Sequence, residues 1–321
     1  MIVVLARAAE NAYWIGRYLE RASDVVRMLN SADTVSTDVG VFSPDAPNRI
    51  WSEIESVLAA PTSPSTACSA SGQCRRFLLD LHEPMSVASS IRNARENARA
   101  FRDTLSLEAF TLLNATWRRT QALVASLSPT DGHENDLTPI AIRGALDEMQ
   151  QAIFAVCGAI DRTGSRNDAW RFLHMGTLLE RALRTSETLR VVLPGIVSEE
   201  ASTPARYARM RALLRSLAAL EAYHREYGAR LDPELLLAFL MFNPDPPHSL
   251  LPCIEAIDRD LTLLERRGRV EDPSRRAGLL LARLRFEGGD ANLDAIDTLP
   301  SQLSEELSGL HQSITEQFFT V

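Results

Sequence analysis

The chain has 321 residues, of which 45% are hydrophobic and 24% charged, with a formal net charge of −8. That length suits about two domains or one large core, and the acidic balance argues against a nucleic-acid protein, which needs a clustered positive field. All 34 basic residues are arginine, which excludes a Walker-type phosphate loop, a Schiff-base mechanism and any ATP site that rests on an in-chain lysine.

The first helix is read almost completely. Leu5, Ala8, Ala12, Ile15, Leu19, Ala22, Val26 and Leu29 recur at 3-4-3-4 spacing, an apolar seam of coiled-coil type. Its alanines let a neighbouring helix approach closely, and Asn30 is expected to end it. The chain enters this helix at once, with no basic segment and cleavage site, so no signal peptide is expected. Residues 60–75 are rich in Pro, Ser and Thr and read as an exposed, flexible loop. Ser86 and Ser249 each follow a proline-containing turn and precede an apolar-periodic run, as N-caps do.

Further helices are expected over 107–127, 138–161, 204–228, 233–242, 250–266, 273–286 and 301–318, and no segment alternates like a strand. A second seam runs through Phe172, Met175, Leu179, Ala182, Leu189 and Leu193, broken by Ser186 and stopped by Pro194-Gly195. The longest apolar run, Leu235 to Phe242, is too short to span a bilayer. Cys68, Cys74, Cys157 and Cys253 have no metal-ligand spacing and read as free thiols of a reducing cytosol.

One helix is written twice. Tyr13-Trp14-Ile15-Gly16-Arg17-Tyr18-Leu19-Glu20-Arg21-Ala22 is echoed 160 residues on by Leu173-His174-Met175-Gly176-Thr177-Leu178-Leu179-Glu180-Arg181-Ala182. Pro84-Met85-Ser86 is echoed 163 residues on by Pro247-His248-Ser249. Two motifs repeated in order point to a duplicated helical unit. The expected fold is all-α, a multi-helix bundle of two pseudo-symmetric units. The units would be 1–163 and 164–321, parted near Thr163-Gly164-Ser165 and sharing one continuous core.

Glu20 and Glu180 are the foremost candidates for chemistry. Each flanks its seam, and pseudo-symmetry would bring the two together in a shared cleft as acid or base; alternatively each Glu-Arg pair fixes helix register through ion pairs. The second constellation is the stripe Arg92, Arg95, Arg99 and Arg102, spaced 3, 4, 3 beside the apolar face of Ile91, Ala94, Ala98, Phe101 and Leu105. It suits a ligand carboxylate or phosphate, or an internal partner among Glu10, Glu20 and Glu180. At least two of these arginines are expected to meet carboxylates outside their own helix. The matching stretch of the second half, Ile254-Glu255-Ala256-Ile257-Asp258-Arg259-Asp260, is acidic instead. A di-iron centre needs two Glu-x-x-His motifs, and only Glu221-Ala222-Tyr223-His224 is found. No metal and no cofactor are expected.

The stretch Ala9-Glu10-Asn11-Ala12-Tyr13-Trp14-Ile15-Gly16-Arg17-Tyr18-Leu19-Glu20-Arg21-Ala22 resembles the opening signature of the bacterial Alpha-E family. Ser90-Ile91-Arg92-Asn93-Ala94-Arg95-Glu96-Asn97-Ala98-Arg99 resembles its second signature and Phe172 to Ala182 its third, and the likeness runs on to His311–Phe319. The sequence departs from the family pattern at Thr177 and His248, where the family tends to have arginine.

The resemblance implies an all-helical protein with recurrent glutamates, encoded beside a circularly permuted ATP-grasp-like ligase and a transglutaminase-like peptidase. It implies a cytoplasmic partner or co-catalytic subunit of that amide (peptide) ligase. Glu10, Asn11, Tyr13, Arg17, Arg21, Arg92, Arg95, Glu96, Asn97, Arg99, Arg102 and Arg181 would then form the substrate- or partner-binding face. The alternatives are a stand-alone enzyme on amide or carboxylate substrates with Glu20 and Glu180 as acid and base, and a purely structural homo-oligomer. Neither nucleic acid nor membrane is expected as a partner, and the sequence does not fix the oligomeric state.

Overall fold

The structure is a computed structural model that describes residues 6–40, 46–58, 69–100, 102, 105–127, 138–200, 203–265, 272–287 and 293–320. Among the described residues it is all-helical. The helices are α1 (Ala6–Gly40), α2 (Ala46–Leu58), α3 (Ala70–Leu79), α4 (Val87–Ala100), α5 (Leu107–Leu127), α6 (Pro139–Thr163) and α7 (Asp168–Val197), followed by α8 (Pro204–Ser216), α9 (Leu220–Tyr227), α10 (Pro233–Phe242), α11 (Leu250–Glu265), α12 (Asp272–Glu287) and α13 (Leu293–Phe318). No helix among the described residues is long and apolar enough to cross a membrane.

α1 and α7 are the longest helices and pack against each other at the centre. α2, α4, α6 and α8 pack on α1, and α11 and α13 pack on α7. The seams explain this arrangement. Ala8, Ala12, Ile15, Ala22, Val26 and Leu29 of α1 are fully buried, as are Met175, Leu179, Ala182, Leu189 and Leu193 of α7. Burying a large aliphatic side chain contributes about 1.5–3 kcal/mol, so two seams of this length outweigh any local preference of the chain.

Local capping fixes the ends. The Asn167 side chain accepts the Trp170 N–H at 3.0 Å and so starts α7. Asp232 accepts the N–H groups of Glu234 and Leu235 at the start of α10. Gly164 caps the end of α6, its N–H bonding Ile160 O at 3.0 Å. Ser86 caps α4 through the Ser89 N–H at 3.0 Å. Ser249 also precedes its helix, but its hydroxyl is buried without a partner and caps nothing.

Several boundaries differ from expectation, among them the start of α13, at Leu293 instead of 301. α1 continues past Asn30, because Ala32 and Val35 remain buried and Asn30 turns its amide to Gln150 on α6 at 3.3 Å. α7 runs past Pro194 to Val197: Ile196 is fully buried and Pro194 O accepts the Ser198 N–H at 3.0 Å. The single helix expected over 204–228 breaks at Ala218, whose φ of 50° is left-handed. Of the loop expected over 60–75, residues 60–68 lie outside the described residues, and 70–75 belong to α3. There Ser69 accepts the Gly72 N–H, and Cys74 is buried.

Candidate functional site

Two glycines set how near α1 and α7 come. A Cβ on Gly16 would lie 2.0 Å from the Leu173 carbonyl oxygen, and one on Gly176 would lie 2.0 Å from that of Tyr13. No side chain fits between the two backbones there. The contact is reciprocal, since Leu173 follows Tyr13 by the same 160 residues that separate Gly176 from Gly16.

One turn further along, the Glu-Arg pairs cross. Arg181 donates from Nε and Nη2 to Glu20 Oε1 and Oε2 at 2.7 and 3.0 Å. Arg21 donates from Nε and Nη2 to Glu180 Oε1 and Oε2 at 2.7 and 3.1 Å. Both are bidentate, the strongest geometry for this pair of groups. Glu20 is 6% exposed and Glu180 2%. The shared open cleft expected of the two glutamates is therefore replaced by two buried, crossed ion pairs.

The two ends are unequal. Glu180 Oε2 also accepts Arg17 Nε at 2.7 Å, and Arg184 lies 3.7 Å from Oε1. The Arg17 guanidinium lies 5.1 Å from the Trp14 ring and that of Arg21 5.4 Å from Tyr18, contacts that suit a delocalised cation. Burial alone would push the Glu180 carboxyl up, but Arg17 and Arg21 outweigh it and hold the group well below the usual carboxylate range. Glu180 is thus a fixed anion and cannot exchange a proton near neutral pH. On the other side, Thr177 stands in the place of Arg17, and its hydroxyl donates to its own helix at Leu173 O, 3.1 Å away.

Beside Glu20 lies a second buried group. An Arg27 Nη2 pairs with Asp24 Oδ1, and it stands 3.2 Å from His248 Nε2 and 3.9 Å from Glu20 Oε1. Burial pushes the Asp24 carboxyl up to about 8 against the pull of Arg27, and its Oδ2 has no partner. Burial, Arg27 and Arg181 hold the His248 imidazole well below its ordinary value. It is therefore neutral, accepts from Arg27 at Nε2, and carries its proton on the unpartnered Nδ1. A histidine suits this place because an arginine would add a third cation beside Arg27 and Arg181. Glu20, Asp24 and His248 bring three possible metal-ligand atoms within 4.8 Å of one another. The Arg27 nitrogen already contacts all three residues, so a fixed cation holds the position that a metal would have to take.

This group carries a pH dependence. The folded Asp24 pKa is raised above its unfolded value, so the folded state binds the extra proton. The stability this gives is full below the unfolded value and is lost as pH rises through about 8. Melting temperature is expected to fall from about pH 5 to about pH 9, and Asp24→Asn should flatten that fall. Thermal melts of both proteins across this range check it.

The other expected site residues lie along α1 and α4 and the residues just after α4, from fully buried to exposed. Tyr13 is fully buried and shares a 2.8 Å hydrogen bond with His311 Nδ1. Burial and Arg17 lower the His311 pKa to about 4. Asn11 donates to Arg7 O of its own helix at 2.7 Å, and Glu10 is half-buried. Burial pushes the Cys74, Cys157 and Cys253 thiols up to about 12, which removes them as nucleophiles near neutral pH.

The Arg stripe corrects the expectation that it meets carboxylates outside its helix. Arg95 donates to Asn114 of α5 at 2.8 Å and to Glu96 of its own helix at 2.8 Å, and Arg99 pairs with Glu96 at 3.0 Å. Asn97 donates to Asn93 O of the same helix. The Arg102 guanidinium lies 5.3 Å from the Phe110 ring, and Arg92 has no carboxylate partner among the described residues. The cause is that Ile91, Ala94 and Ala98 turn into the core beside the stripe, while Glu20 and Glu180 are engaged by arginines of α1 and α7. Arg95→Ala is expected to change stability by less than about 1 kcal/mol, as for other exposed pairs, which urea unfolding checks.

Asp24 and Arg27 were legible as companions of Glu20, since spacings of 4 and 3 keep them on one face. The His174–Asp260 pair, 2.6 Å between Nδ1 and Oδ2, joins residues of α7 and α11 with no local signal. The same is true of Arg209, 2% exposed, which pairs with Glu53 and Glu199. Arg27 also lines an open cleft of about 630 Å³ with Arg143, Arg215, Asp33 and Asp147.

Fold and site together define an all-helical protein whose Glu-Arg pairs cross between its two longest helices. The model of the Alpha-E family, described as a predicted alpha-helical domain with a conserved ER motif, matches residues 4–319, and the chain belongs to that family. Two relatives are the uncharacterized protein Mb2597 of Mycobacterium bovis and the uncharacterized protein Rv2567 of Mycobacterium tuberculosis, each 22% identical over 338 residues. The alignments cover 97% of this chain but 36% of each relative, so the chain spans about a third of the length of the curated relatives it matches. No solved structure matches it.

Proposed function

We propose that the chain is the helical partner subunit of an ATP-dependent amide (peptide) ligase of the circularly permuted ATP-grasp-like type, acting in the cytoplasm. One observation carries this reading. Both Glu-Arg pairs are spent on joining α1 to α7, with Glu180 held as a permanent anion. Signature residues used in this way build a scaffold and do not supply an acid and a base. This favours the partner reading over a stand-alone enzyme.

The stripe of half-buried Arg92 and Arg95 and exposed Arg99 and Arg102 then serves as a docking face for the acidic surface of the ligase or for a carboxylate of its peptide-like substrate. The relatives support the same view, because in them the matched region is joined to a greater length of other sequence. A transglutaminase-like peptidase is the second partner the reading names. A duplicated origin of the two halves also belongs to this account, supported by the reciprocal contacts of Gly16 with Leu173 and Gly176 with Tyr13.

The test is co-expression with the neighbouring ligase, pull-down, and measurement of ATP turnover with and without this chain. A stable complex and a several-fold change in turnover are expected, with Arg99→Glu weakening both. No complex and no change in rate would overturn the reading.

A further inference from the structure

Glu20 and Glu180 occupy matching places with unequal partners. Glu180 accepts from two arginines of α1, Arg17 and Arg21. Among the described residues Glu20 accepts only from Arg181 within hydrogen-bond distance; the Arg27 cation stands 3.9 Å away and the neutral His248 ring 4.0 Å. A carboxylate has about four acceptor sites, so Glu20 has capacity to spare.

The missing partner leaves a space. Where Arg17 fills the Glu180 side, the Thr177 side holds a cavity of about 210 Å³ between α1, α6 and α7. This is several times the share of about 30 Å³ that one water takes in the liquid. Glu20, Thr177, Arg181, His174, Trp170 and Asp161 line it. Thr177 does not fill the vacant role, because its hydroxyl is turned to Leu173 O.

The lining matches what Arg17 meets on the other side. Arg17 there has a carboxylate, Glu180, and an aromatic ring, Trp14. The cavity offers Glu20, and His174 at the position equivalent to Trp14, stacked on Trp170 at 4.5 Å. Asp260 holds His174 Nδ1 at 2.6 Å, which leaves Nε2 as the ring nitrogen for a ligand. Asp161, paired with Arg166 at 2.7 Å, is a second carboxylate in the lining.

We propose that this cavity binds a guanidinium group, taking the head of an arginine-like small molecule or of an arginine side chain in a peptide. The planar fork of a guanidinium meets a carboxylate in the way Arg17 does, whereas an ammonium is a point charge. The site stands whether or not the chain serves a ligase.

Calorimetric titration of the full chain with Nα-acetylarginine amide tests it, with the citrulline and lysine analogues as the neutral and ammonium arms. The arginine compound is expected to bind, and the citrulline compound to bind about tenfold more weakly or worse, since it lacks the charge-assisted bond. The lysine compound should fall between them. An arginine-containing tripeptide binding more tightly than the amide would assign the natural source to a peptide, and equal or weaker binding would assign it to a free small molecule. Thr177→Arg should restore the missing partner, stay folded and abolish binding. If Thr177→Arg fails to fold, Thr177→Gln fills the same space and carries the same expected loss. No binding of the arginine compound at about 10 mM, equal binding of the citrulline compound, or unchanged binding by the folded variant would overturn the proposal.

Discussion

Glu180→Gln is expected to destabilise the protein by roughly 3–5 kcal/mol, the range for breaking a buried ion pair. The substitution keeps the side chain's size but removes the one anion that Arg17, Arg21 and Arg184 share. Three guanidinium groups would then face one another in a setting where Glu180 is only 2% exposed, and none of them can lose its proton. Glu20→Gln should cost less. Its carboxylate engages one arginine within hydrogen-bond distance, and Asp24 remains as a hydrogen-bond partner of Arg27. Urea unfolding of both variants gives the order directly, and a larger loss at Glu20 would contradict it.

Gly176→Ala is the second large effect. The new Cβ would lie 2.0 Å from Tyr13 O and 2.9 Å from Tyr13 C. Both are backbone atoms, so no flexible side chain can move aside. α1 and α7 must separate, and the crossed ion pairs one turn away stretch with them. Overpacking of a tight core costs about 1–3 kcal/mol and occasionally more, and this contact belongs at the upper end. Gly158→Ala in α6 provides the control. Its Cβ would meet nothing within 4 Å, and an alanine inside a helix is favoured over glycine by about 0.5–1 kcal/mol. The two Gly→Ala changes should therefore move the melting temperature in opposite directions.

These effects show what could be read from the sequence. The α1 seam was legible because 3-4-3-4 spacing survives any detail of packing, and its described members are all buried. The repeated Gly-x-x-Leu-Glu-Arg-Ala pattern marked the right residues. It did not say what they do, because a helical wheel puts Glu20 and Arg21 on opposite flanks of the seam without naming the helix that covers each flank. Only the packing of α1 on α7 decides that Glu20 meets Arg181 and Arg21 meets Glu180. The same limit explains the Arg stripe. Its position at the border of an apolar face was correct, but the carboxylates it was assigned to were already engaged. Thr177 and His248 were visible as departures from a pattern. Their consequences, a cavity beside Glu20 and a neutral acceptor for Arg27, depend on neighbours far away in the sequence. The short helix α2 went unread because burial of Ile50, Trp51, Val57 and Leu58 comes from packing on α1, α3 and α7 and not from a long periodic run.

The central claim is that the two Glu-Arg pairs are a crossed lock between α1 and α7. A double-mutant cycle on Glu20 and Arg181 measures it most directly, using Glu20→Gln, Arg181→Met and the double variant in urea unfolding. The lock predicts a coupling energy on the order of 2 kcal/mol, within the range for residues in one buried ion-pair network. Single losses that add to within about 0.5 kcal/mol of the double variant, as for independent sites, would contradict it.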